Sequence, residues 1–268
     1  MLENIIGHKK NIELLLKLKE KEKLPSNLIF EGFEGIGKKL VAKSLFSFQE
    51  VSQKDFFLIG EDSYPKISDV RNLIFSLSKK SIKKYKVAIL DNAENITLEA
   101  ANALLKLFEE PPSNSFIILI TTSSNKLTKT LVSRAKIFKF SPLSKKEIKE
   151  FAKNQKIDLK KYPELLDFSR GRPGHLLRIY KYKLVDISKA LLNYIKNREL
   201  KNYFLLTEKL EKVNIKIIQS LFEVLLDLSI KNPIYMKYYP NIVEVLNLIK
   251  IYPKPKYLLD KLFLDINF

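Results

Sequence analysis

The sequence predicts an α/β fold with a parallel sheet up to Phe140 and an all-helical remainder. Three observations carry this reading. Short apolar runs alternate with helical patterns along the first part of the chain. A G-x-x-x-x-G-K string lies between the first apolar run and a helix. After Ser141-Pro142 the strand patterns stop. Taken in order, Asn27 to Glu31 (NLIFE) is a strand leading into the glycine loop, and a helix follows from Lys38 to about Phe48. Asp55 to Ile59 (DFFLI) is a short strand, and Ile67 to Leu77 is a helix with Val70, Ile74 and Leu77 on one face. Tyr85 to Asp91 (YKVAILD) is a buried strand ending in a carboxylate. Thr97 caps the next helix, which places Ala101, Leu104, Leu105 and Phe108 on one stripe and is stopped by Pro111-Pro112. Phe116 to Thr121 (FIILIT) and Lys136 to Phe140 (KIFKF) complete five strands. Beyond them, Ser144 caps a helix from Lys145 to Asn154, and Gly171-Arg172-Pro173-Gly174 is a tight turn into another helix. Leu221, Val224, Leu225 and Leu228, then Ile242, Val245, Leu246 and Ile249, are stripes of a helix-bundle core.

Composition narrows the function classes. With 268 residues, 46% of them hydrophobic, the chain can bury sizeable cores. It has no cysteine, which excludes disulfides and thiolate metal sites, and its two histidines, His8 and His175, are isolated and read as surface or capping residues. No apolar run approaches the roughly 20 residues of a membrane helix, and the start lacks a signal-peptide pattern, so the expected location is cytoplasmic. The net charge of +18 suggests nucleic acid, since basic residues bind phosphate backbones by releasing counterions. Only six of the basic residues are arginine, however, and the lysines are spread along the chain as an A+T-biased coding sequence would produce. A weak attraction to DNA fits either origin.

The loop Gly32-Phe33-Glu34-Gly35-Ile36-Gly37-Lys38-Lys39 has the skeleton that wraps a phosphate with backbone N–H groups. Lys39 stands where a magnesium-binding Ser or Thr belongs, and Glu34 adds a carboxylate to an anion site. Asp91 either orients hydrated Mg²⁺ or is a strand-end residue bonded to the loop, and Asn92 occupies the place of the Glu that would activate water. Glu109 and Glu110 lie at a helix C-terminus, where the macrodipole disfavours anions by roughly 0.3 to 1 kcal/mol each. They are either simply exposed or face a basic surface on another subunit. Leu127 to Arg134 places a lone arginine beside Ser133 before the last strand, where a local carboxylate is the alternative partner.

The series Ile5-Ile6-Gly7-His8, Leu24-Pro25, the glycine loop, the strand ending in Asp91, A-A-N-A-L-L-K-L-F-E-E-P-P from Ala100 to Pro112, and T-x-x-S-R ending at Arg134 resembles the AAA+ subunits of DNA polymerase clamp loaders over residues 1 to about 180. The resemblance implies an α/β AAA+ P-loop domain (1–142) with a five-stranded parallel sheet and flanking helices, then a small helical lid (143–183) and an all-α C-terminal collar (184–268) for oligomerisation. Two features depart from the family. Ala135 replaces the cysteine after Ser133-Arg134, and the segment Phe48 to Asp55 leaves no room for the four-cysteine zinc module, so no zinc is expected. Lys39, Asn92 and Gly174 each replace a residue that a hydrolysing motor subunit would keep. The resemblance therefore implies a subunit that does not itself hydrolyse ATP but offers Arg134, with Ser133, as an arginine finger in trans to a gamma/tau neighbour. It implies gamma/tau and delta partners, with a sliding clamp and primed DNA reached through the assembled complex. Gly32, Gly35, Gly37, Lys38, Lys39 and Asp91 would form a degenerate nucleotide site, with weak ATP or ADP binding without turnover left open. Glu109 and Glu110 would lie at an interface. The competing readings are an active AAA+ ATPase of a related clamp loader or helicase loader, and a DNA-binding module.

Overall fold

The computed structural model describes residues 2, 5–61, 65–249 and 251–267. They divide into two compact units, residues 1–151 with 171–173, and residues 152–170 with 174–268. In the first unit five strands, β1 (Asn27–Glu31), β2 (Val51–Ile59), β3 (Tyr85–Leu90), β4 (Ser115–Thr121) and β5 (Lys136–Lys139), form one sheet in the order β2-β3-β4-β1-β5. Every pairing is parallel. The helices of this part of the chain are α1 (Lys9–Glu20), α2 (Lys38–Ser44), α3 (Ile67–Ser78), α4 (Leu98–Glu109), α5 (Lys129–Val132) and α6 (Lys145–Asn154).

Because successive strand residues point to opposite faces, the sheet supports two cores. Leu28, Phe30, Val87, Ile89, Ile118 and Ile120 pack with Ile12 and Leu15 of α1 and Val41 and Ala42 of α2. Their neighbours Ile29, Ala88, Leu90, Ile117 and Leu119 pack with Val70, Leu73 and Leu77 of α3 and Leu104, Leu107 and Phe108 of α4. All six residues of β3 are buried, Lys86 included. Its ammonium donates to the carbonyls of Ser76, at 2.6 Å, and Lys79, closing the C-terminal end of α3 where helix carbonyls lack partners.

Within the first unit, two element boundaries differ from the sequence expectation by more than one residue. The helix after the glycine loop ends at Ser44 rather than near Phe48, because Leu45 and Phe46 turn into the core instead of continuing an exposed face. Strand β2 starts four residues early, at Val51, and its pairing with β3 shifts register between Val51 and Phe56. The polar Ser-Gln-Lys stretch there breaks the apolar alternation that marks a strand. Thr97 caps α4 as its sequence predicts, accepting from the Ala100 N–H at 3.2 Å. Ser144 and Glu147 close a reciprocal capping box on α6.

The second unit is helical, with α7 (Glu164–Phe168), α8 (Pro173–Lys181), α9 (Leu184–Asn197), α10 (Leu200–Glu211), α11 (Ile215–Lys231), α12 (Pro233–Met236), α13 (Tyr239–Leu248) and α14 (Pro255–Asn267). Helix α11 is central: Leu221, Phe222, Val224 and Leu225 are fully enclosed, and Ile242 and Val245 of α13 are buried likewise. His175 is not a surface residue. It is fully buried, and its Nδ1 lies 3.1 Å from Ser220 Oγ on α11. No helix among the described residues is long and apolar enough to cross a membrane.

Candidate functional site

The glycine loop joins β1 to α2. Gly32, Gly35 and Gly37 have φ of 150°, 79° and 107°, conformations that side chains other than glycine rarely adopt. At Gly32 the requirement is steric as well, since a Cβ there would lie 2.3 Å from the Phe140 carbonyl oxygen. His8 supports the loop from the start of α1: its Nε2 donates to the Ile36 carbonyl at 2.7 Å, and its ring meets Phe140 edge-on at 5.0 Å between centroids. Lys38 is buried, and its ammonium donates to the loop's own carbonyls, those of Gly32 and, at 2.7 Å, Phe33.

Lys39 turns the other way. Its Nζ lies 3.1 Å from Asp91 Oδ2, at the end of β3, and 3.1 Å from Glu61 Oε1, just beyond β2. Lys43, one turn along α2, also reaches Glu61 at 3.2 Å. Partial burial disfavours the charged Lys39, but the Asp91 and Glu61 carboxylates outweigh it and hold the ammonium's pKa above its ordinary value. In return the hydrogen bond from Lys39 holds Glu61 below the usual carboxylate range. A P-loop fold implies a nucleotide with Mg²⁺, and the residues here do not fit that ion. The hydroxyl that would ligate it is replaced by an ammonium, and the carboxylate that would orient its waters is engaged by that ammonium. Asn92 is equally committed. It sits at φ 54°, and its side-chain amide donates to the Gly60 carbonyl at 2.9 Å.

The second group of predicted residues lies where α4 ends and α5 leads into β5. Glu109, Glu110, Ser133 and Arg134 are all exposed. Arg134 Nη2 pairs with Glu109 Oε1 at 2.9 Å, while Nη1 donates to the Thr130 carbonyl at 3.1 Å and approaches Ser133 Oγ at 3.4 Å. The local carboxylate left open as the arginine's partner is thus Glu109, which explains part of an anion's presence at that helix end.

Sequence reasoning missed two contributors. Glu61 carries no motif, and only its proximity to Lys39 marks it. Glu94, three residues after Asp91, accepts from the Thr122 N–H at 3.1 Å and the Thr122 hydroxyl at 2.7 Å, tying the end of β4 to the turn after β3. Its spacing from Asp91 was the available signal.

A parallel five-stranded sheet in the order β2-β3-β4-β1-β5, with a phosphate-loop connection after β1 and a carboxylate at the end of β3, is a P-loop α/β fold. Residues 44–144 match the family described as DNA polymerase III, delta subunit. That stretch holds Asp91, Glu109, Glu110, Ser133 and Arg134 and excludes the glycine loop. The chain is 32% identical over 148 residues to a replication factor C small subunit of Methanosphaera stadtmanae, covering 53% of this chain and 45% of that protein. It is 30% identical over 161 residues to a DNA polymerase III subunit delta' of Bacillus subtilis, covering 52% and 49%. A DNA polymerase III subunit gamma of Buchnera aphidicola is 27% identical over 238 residues, covering 76% and 65%. The chain thus spans about half the length of the first two relatives. The crystal structure of a gamma subunit-related protein of Thermotoga maritima superposes with a TM-score of 0.64 at 20% identity, covering 95% of this chain and 98% of that one. The chain is similar to bacterial clamp-loader subunits, and the fold of both its sheet and its helical C-terminal portion is theirs.

Proposed function

We propose that the chain is a clamp-loader subunit of the delta-prime type, which helps load a sliding clamp onto primed DNA in the cytoplasm without hydrolysing ATP itself. In this reading it works in a hetero-oligomer with gamma/tau and delta subunits. Residues 1–142 are its AAA+ domain, 143–183 its lid and 184–268 its oligomerisation collar. The observation that carries the reading is a contrast within one domain. The chain's own magnesium position is filled by Lys39, whereas Arg134 stays at the surface in a motif inside the matched segment. Arg134 reaches the γ-phosphate of ATP held by a gamma/tau neighbour and stabilises charge that develops there during transfer. Arginine fingers supplied in trans raise rates by roughly 10³ to 10⁵ in small GTPases, which sets the upper scale. To engage, the guanidinium must leave Glu109, and both partners are well exposed, so the pair is worth about 0 to 1 kcal/mol and yields easily to a phosphate. Glu109 and Glu110 then remain at the interface, facing the neighbour. The degenerate loop is a retained scaffold element, with ATP or ADP held at most weakly.

The test adds Arg134→Ala protein to gamma/tau, delta, clamp and primed DNA. ATP turnover and clamp loading should fall at least tenfold, while Arg134→Lys, which lacks the bidentate fork, should rescue little. Unchanged turnover would sink the proposal. Mg²⁺-dependent hydrolysis by the isolated chain would favour the active-ATPase reading instead.

A further inference from the structure

We infer that Lys39 is a resident cation that fills a latent divalent-metal site, so that this loop is complete without Mg²⁺ and its carboxylates await a metal only when the ammonium is removed. The inference goes beyond the clamp-loader reading and does not depend on Arg134.

Two carboxylates from different elements, Asp91 after β3 and Glu61 after β2, converge on one nitrogen at 3.1 Å each. Converging carboxylate oxygens are the ligand type that hard divalent cations prefer. Here the positive charge arrives on the protein's own chain, from the residue that follows the loop lysine. The other groups facing the pair complete the balance: Lys43 shares Glu61 at 3.2 Å, and the Asn92 N–H donates to Asp91 Oδ1 at 3.0 Å. Without the Lys39 ammonium, Asp91 and Glu61 would face each other with less positive charge to offset them, and like charges so placed repel. A hydroxyl at position 39 would restore a metal ligand and free Asp91 in one step. A tethered ammonium also costs no binding entropy and is independent of ion concentration.

The experiment compares the full-length wild-type chain, Lys39→Thr, Lys39→Arg and Lys39→Thr/Asp91→Asn, each with ATP in EDTA and in millimolar MgCl₂. Thermal unfolding and equilibrium ATP binding are the readouts. The wild type should unfold at the same temperature with and without Mg²⁺, and any ATP affinity should be indifferent to the metal. Lys39→Thr should gain a Mg²⁺-dependent rise in midpoint of about 2 to 5 °C and at least tenfold tighter ATP binding with metal than without. Asp91→Asn should erase that gain, and Lys39→Arg should stay indifferent. If Lys39→Thr folds only when Mg²⁺ is present while Lys39→Arg folds without it, the need for a cation at this point is supported. A wild-type chain whose ATP binding is tightened tenfold by Mg²⁺ would overturn the inference, as would a folded Lys39→Thr protein with no metal response.

Discussion

Arg134 and Lys39 show how one cationic side chain differs from another by what surrounds it. The Arg134–Glu109 pair is a surface contact, so Glu109→Gln should change chemical-denaturation stability by less than about 1 kcal/mol. Gly32 is different in kind. Its φ is 150°, and a methyl group on its Cα would come within 2.3 Å of the Phe140 carbonyl oxygen, which leaves no space for a side chain. Gly32→Ala should therefore cost more than about 1 kcal/mol in the same measurement, whatever the loop binds. A result within error of wild type would show that the backbone there can relax. The glycines of the loop were legible in the sequence as a phosphate cradle, but this second reason for Gly32 was not. It depends on where the chain passes more than a hundred residues later.

At the level of elements, most of the sheet was readable because β1, β3 and β4 are largely apolar runs bounded by loop residues. Helices α4 and α6 were readable from their caps, Thr97 and Ser144. What could not be read was side-chain traffic between elements, such as Lys86 reaching α3 or Glu94 reaching β4. Neither changes the local pattern of its own segment. Glu94 offers a direct check. Burial raises its pKa, but the hydrogen bonds from Thr122 outweigh that and hold it below the ordinary value of 4.5. A carboxylate with a depressed folded pKa contributes stability that is fully present above the unfolded value and is lost as pH falls through the folded one. Glu94→Gln should thus lower stability by roughly 1 kcal/mol near pH 7 and flatten the acid side of the stability profile below pH 4.5. An unchanged acid limb would mean that other carboxylates dominate it.

Over the whole molecule, the excess of positive charge is carried mainly by exposed lysines, and the chain should bind duplex DNA only non-specifically, with a Kd of roughly 10⁻⁴ to 10⁻⁶ M at physiological salt that weakens steeply as salt rises. Sub-micromolar affinity by fluorescence anisotropy, indifferent to salt, would contradict this. Against that lysine-rich surface, Lys38 and Lys86 stand out as buried, at 6% and 2% exposure. Amine-reactive reagents require a deprotonated, accessible nitrogen, so most lysines here can be acylated while the protein is folded and these two cannot. Lys38 is released by opening of the glycine loop, and Lys86 by opening of the C-terminal end of α3, whose carbonyls its ammonium holds. Timed acylation followed by peptide mass analysis would therefore read two clocks in one chain, one for opening of the glycine loop and one for opening at the end of α3.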